Sequence, residues 1–129
     1  MARPLESARL LIVDDEPANV ALLERILKKG GYTNIESVND ARRVLALFSS
    51  FQPDLVLLDL LMPHMDGFNV QAHLGRKCAE LPVIIVTGHD FPKARERAMA
   101  GGVSAFLRKP VQDRTLLDAI SAATECATR

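Results

Sequence analysis

Five short apolar runs alternate with stretches of helical length: RLLIV at 9–13, IESV at 35–38, LVLL at 55–58, PVIIV at 82–86 and AFL at 105–107. Runs this short, rich in valine, isoleucine and leucine and bounded by polar residues, suit strands better than buried helices. Four of them are continuously apolar, so both faces of each strand must be covered. That requirement points to a parallel sheet with helices on either side. The second run alternates and is weaker, which places it at an edge.

The intervening segments carry helix signals. PANVALLERILKKGG sets Val20, Leu23, Ile26 and Leu27 on one face and ends on a glycine pair, a C-cap signature. DARRVLALF begins at Asp40, a good N-cap, and FPKARERAMAGG again ends in glycines. DRTLLDAISAATEC carries Leu116, Leu117, Ile120 and Ala123 on a helical stripe. The pattern predicts a doubly wound α/β fold with a five-stranded parallel sheet and five helices. At 129 residues the chain has room for one domain, expected over 1–129 with its core at about 9–124, and no effector domain is expected within it.

Composition narrows the function classes. Sixteen basic and sixteen acidic residues cancel, so direct nucleic-acid binding is not expected. No apolar stretch approaches the roughly 18 residues of a membrane span, so no membrane insertion is expected. The N-terminal stretch lacks the apolar segment and cleavage site of a signal peptide. Cys78 and Cys126 lack metal or redox spacing and read as reduced thiols of a cytoplasmic protein.

Open α/β sheets bind ligands beyond the carboxyl ends of their strands. The residues that follow the core runs are Asp14 and Asp15, Asp59, Thr87 with Gly88, and Lys109. Asp59 is the odd one, a carboxylate directly after the densest apolar run, where loss of solvation is costly unless compensated. Three converging carboxylates repel unless a cation sits among them, and Mg²⁺ (or Mn²⁺) is a hard ion that takes such oxygens. Lys109 adds a compact positive charge, Thr87 a hydroxyl, and Gly88 room for an incoming group. The set suits phosphoryl transfer to a carboxylate, Asp59.

Each residue also has a structural reading. Asp15 can cap a helix with Pro17 in its first turn, Asp59 can form an Asx-turn, Thr87 can be a strand-end hydroxyl, and Lys109 a solvated charge. Their common place at the ends of the four core strands favours a site over four coincidences. Asp66-Gly67 reads as a turn and helix start. His64 and His73 lack the spacing of metal ligands, while the role of His89, two residues past Thr87, stays open.

In this order and spacing, LLIVDDEP, PDLVLLDLLMPHMDG, PVIIVTG and AGGVSAFLRKP resemble the receiver domain of two-component response regulators, over about Arg9 to Ala123. The resemblance implies a flavodoxin-like fold with strand order 2-1-3-4-5. It makes Asp59 the phosphoacceptor, Asp15 a direct Mg²⁺ ligand, Asp14 a ligand mostly through water, and the Leu61 backbone carbonyl a further ligand. Thr87 and Lys109 would contact the phosphoryl group, and a cis bond is expected before Pro110. Phe106 occupies the aromatic switch position, where a tyrosine is common, and Leu61 stands where relatives are often polar. The implied partners are a histidine kinase or phosphotransfer protein and a downstream protein or effector domain. The state would be read on the fourth helix, fifth strand and fifth helix. Family members can pair through those two helices, so a homodimer is open to it.

Other readings fit less well. A small-molecule aspartyl-phosphate phosphatase usually has a second acid two residues after its nucleophile, where Leu61 stands, and needs a cap domain. A nucleotide-binding flavodoxin-like protein needs a phosphate loop after its first strand, where DDEPAN presents acids. The expectation is therefore a phosphorylation-switched signalling domain, not an enzyme acting on a separate substrate. The remaining alternative is a degenerate receiver serving as a phosphorylation-independent protein-binding scaffold.

Overall fold

Each apolar run becomes a strand because alternate side chains on both of its faces find cover. In a computed structural model the strands are β1 (Arg9–Val13), β2 (Asn34–Val38), β3 (Leu55–Leu58), β4 (Val83–Thr87) and β5 (Ala105–Arg108). The structure describes residues 8–40, 50–59, 82–88, 105–109 and 111–127, together with 43, 46, 96 and 100. All pairs are parallel and the order is β2-β1-β3-β4-β5, with the weaker second run at the edge as its pattern predicts. The fourth strand begins one residue later than the apolar run. Pro82 has no N–H to donate, but its carbonyl accepts from Val56 N–H at 3.0 Å.

One face of the sheet presents Leu10, Ile12, Leu55, Leu57, Ile84 and Val86 to Leu23, Ile26 and Leu27 of α1 (Pro17–Lys29) and to Leu116, Ile120 and Ala123 of the C-terminal helix (Asp113–Ala127). The opposite face is equally dry: Leu11, Val13, Val56, Leu58 and Ile85 are fully or almost fully buried. Burying each of these side chains contributes about 1.5–3 kcal/mol relative to exposure. Two of the five expected helices are described in full. Helical backbone at Ala46, Ser50 and Phe51, and at Glu96 and Ala100, falls where two more are expected. The rest of those helices, and the expected helix start at Asp66-Gly67, lie outside the described residues.

The C-terminus of α1 closes as its glycine pair predicts. Gly31 N–H donates to Lys28 O and Tyr32 N–H to Leu27 O, which turns the chain toward β2 and brings Tyr32 and Leu27 into the same apolar cluster. Gly31 has φ 101°, a region costly for a residue bearing Cβ. Gly31→Ala is expected to destabilise the fold by about 1–2 kcal/mol, read as a lower urea midpoint at unchanged m-value. Gly30 serves a different end, because a Cβ there would lie 2.5 Å from Cδ2 of Leu117 on the C-terminal helix.

Burial of Tyr32 pushes its phenol above the ordinary value of 10. A raised folded-state value means that the native state holds the proton more tightly. The associated stability is complete below 10 and is lost as pH climbs through the folded value. Tyr32 is the sole tyrosine and there is no tryptophan, so tyrosinate absorbance reports it alone. The folded protein is expected to titrate at higher pH than the same chain in denaturant.

Candidate functional site

The carboxyl ends of β1, β3 and β5 are each extended by one backbone hydrogen bond, and each bond fixes a residue picked out in the sequence. Asp14 N–H donates to Val38 O at 3.2 Å, Asp59 N–H to Val13 O at 2.9 Å and Lys109 N–H to Thr87 O at 2.9 Å. The side chains therefore start from backbone held by the sheet rather than from loose loops, which is how a rigid scaffold positions a site. Asp14, Asp59 and Lys109 also continue the alternation of Ile12, Leu57 and Leu107, three residues of the α1 face or packed against its core.

The geometry joins them. Lys109 Nζ lies 2.7 Å from Asp14 Oδ2 and 3.5 Å from Asp59 Oδ2. Asp14 and Asp59 are only 2% and 7% exposed, so their charges are screened from water. Removing one partner of such a shielded pair typically costs about 3–5 kcal/mol, because a charge is left buried. Asp14, Asp15 and Asp59 each offer a carboxylate oxygen within 4.8 Å of the others. This all-oxygen donor set suits a hard divalent cation, so these residues can hold a metal ion. Asp59 Oδ1 is itself buried, and no described residue donates a hydrogen bond to it.

Thr87 is fully buried at the end of β4, one strand from Lys109. Gly88 follows at the surface, and among the described residues a Cβ built on it would meet nothing within 4 Å. Phe106 is buried in β5. The expected contributions of Leu61, Pro110, His64, His73 and His89 lie outside the described residues.

Two details go beyond the sequence reading. The N-cap of α1 is Glu16, not Asp15, and its side chain makes no capping bond. The turn is instead closed by Asp14, whose Oδ1 accepts from Glu16 N–H at 2.9 Å. The other detail is the shorter of the two Lys109 ion pairs, which goes to Asp14 rather than Asp59.

Comparisons with known proteins agree with this arrangement. The family model described as the response regulator receiver domain matches residues 10–121. Protein PilH of Pseudomonas aeruginosa is 37% identical over 117 residues, covering 89% of this chain and 96% of PilH. Response regulator PleD of Caulobacter vibrioides is 38% identical over 120 residues, covering 92% of this chain but 26% of PleD. The chain thus spans about a quarter of that longer relative. A CheY-like response regulator receiver domain protein from Methanospirillum hungatei superimposes with a TM-score of 0.87 at 28% identity, covering 94% of this chain and 96% of that one. With the sheet order, the acid cluster and these matches together, the chain belongs to the response regulator receiver domain family.

Proposed function

We propose that this chain is a phosphorylation-switched receiver, one module with its core at about 9–124, in which Asp59 accepts a phosphoryl group from a histidine kinase or phosphotransfer protein. The observation that carries the reading is the buried Asp59 carboxylate at the end of β3, with an ammonium 3.5 Å away and two further aspartates alongside. An Asp59 carboxylate oxygen attacks the phosphorus of the donor phosphohistidine. The new O–P bond forms as the donor N–P bond breaks, and the imidazole leaves with the electron pair and takes up a proton. Lys109 offsets negative charge on the transferring group, and the Thr87 hydroxyl donates a hydrogen bond to one of its oxygens. Asp14, Asp15, Asp59 and the Leu61 carbonyl would hold Mg²⁺ or Mn²⁺, which supplies further neutralisation of the phosphoryl oxygens when bound.

The module acts as a signalling domain that turns over only its own phosphoryl group, and a downstream protein or effector domain reads its state. Among the described residues no helix is long and apolar enough to cross a membrane, and we place the module in the cytoplasm with its kinase.

The test is incubation with acetyl phosphate, with and without Mg²⁺, followed by intact mass. One phosphoryl adduct per chain is expected, and only with the metal. No adduct under either condition would reject the reading in favour of a phosphorylation-independent scaffold.

A further inference from the structure

We propose that Val111 is a positioning residue for Lys109, fixing the backbone from which the lysine side chain reaches the site. The inference rests on the reading of Lys109 as the cation that assists phosphoryl transfer, and it names the side chain that keeps that cation in place. A lysine carries its charge on a flexible four-carbon stem, so a single geometry needs a firmly held backbone beneath it. The Lys109 side chain is only 16% exposed, with its Nζ beside two carboxylates. Upstream the sheet does the holding, since Lys109 N–H donates to Thr87 O at 2.9 Å. Downstream β5 has already ended at Arg108, and the C-terminal helix starts only at Asp113.

In that short connection, Val111 is buried and Gln112 is exposed. Val111 belongs to the apolar cluster that joins Leu23 of α1, Val86 of β4 and Leu116 of the C-terminal helix. It therefore ties the chain after Lys109 to a layer shared by three elements. Gln112 O accepts from Leu116 N–H at 3.0 Å, so the helix begins directly behind this anchor. Val111 and Lys109 also line one apolar hollow of about 210 Å³, together with Leu22, Leu23 and Val86. The hollow is room into which the connection can settle once the anchor is trimmed. Truncating Val111 adds space where space already exists, and the lysine backbone then shifts with the connection. A misplacement of about 1 Å at a positioned group can cost about 10²-fold in rate.

The test is the rate of phosphorylation by acetyl phosphate with Mg²⁺, for wild type, Val111→Ala, Val111→Thr and Val111→Ile. Urea unfolding and the NMR signals of the Lys109 ε-methylene are recorded on the same samples. Val111→Ala is expected to slow phosphorylation about tenfold, and to move the ε-methylene signal toward that of exposed lysines. Val111→Thr keeps the branched shape but buries a hydroxyl, so it should lose stability while keeping the wild-type rate and signal. Val111→Ile keeps the anchor, has the hollow to extend into, and should keep both as well. A Val111→Ala variant with the wild-type rate or the wild-type signal overturns the positioning role. So does a Val111→Thr variant slowed as much as Val111→Ala, because stability alone then accounts for the loss. If Val111→Ala does not fold, the two branched variants carry the test, and loss of the lysine signal in either overturns the role. If wild type takes up no phosphoryl group, the phosphoacceptor reading falls, and the Lys109 signal alone decides whether Val111 positions the lysine.

Discussion

Asp59→Asn is expected to take up no phosphoryl group from acetyl phosphate or from a phosphohistidine donor, while folding like the wild type. The amide keeps the planar shape of the carboxylate at a position only 7% exposed, so neighbouring packing has no reason to shift. It lacks the anionic oxygen that must form the bond to phosphorus. Lys109 loses its partner at 3.5 Å but keeps Asp14 at 2.7 Å. One of three clustered negative charges is also gone, which removes like-charge repulsion. Stability is therefore expected to lie within about 1 kcal/mol of wild type or above it. Intact mass after acetyl phosphate treatment, with urea unfolding of the same sample, separates loss of chemistry from loss of fold. Uptake at the wild-type rate would show that another residue is the acceptor.

The sheet was readable because its chemistry is one-dimensional: a run such as LVLL at 55–58 can be satisfied only where both faces are covered. The edge place of β2 followed from Asn34, Glu36 and Ser37, which stay exposed while Val38 is buried. The end of α1 was equally legible, because only the glycine pair accommodates a left-handed residue between Lys29 and Tyr32. Contacts chosen in three dimensions were not legible. Nothing near Asp54 announces that its carboxylate accepts from Arg9 N–H at 2.8 Å, or that its own N–H donates to Arg9 O at 2.7 Å. These two bonds pin β1 to β3 at the end opposite the site.

Within the site, the residue types and their order along the chain were evident, since each follows a core strand. The division of labour was not. The capping reading open to Asp15 does not hold, because Glu16 is the N-cap of α1 and it is the Asp14 carboxylate that accepts from Glu16 N–H. The preference of Lys109 for Asp14 likewise depends on the distance between the ends of β1 and β5, which sequence spacing does not encode.

Replacing Thr87 by valine is expected to leave Asp59 reactive and to cut the signal that phosphorylation sends to β5. Ile85 lies beside Phe106 and Thr87 beside Arg108, so Thr87 and Phe106 share one face of the sheet on neighbouring strands. That face is opposite the one carrying Ala105 and Leu107, which pack against the α1 core. A phosphoryl group adds charge and acceptor oxygens beside the Thr87 hydroxyl, and drawing that hydroxyl inward vacates space next to β5. Phe106 is only 9% exposed in the unmodified chain, and a phenyl ring pays no polar penalty for burial. The inward ring is thus expected to be populated beforehand, with phosphorylation completing a population shift rather than starting one. Aromatic and methyl NMR with beryllofluoride, which mimics the phosphoryl group on Asp59, reads this directly. Wild type should show shifts at Phe106 and across 92–107, and Thr87→Val should bind beryllofluoride but keep those signals still. Because valine preserves the volume and branching of threonine and removes only the hydroxyl, loss of the distant shifts would assign the coupling to that one hydrogen bond. Shifts confined to the acid cluster in wild type, or unchanged transmission in the variant, would exclude the route.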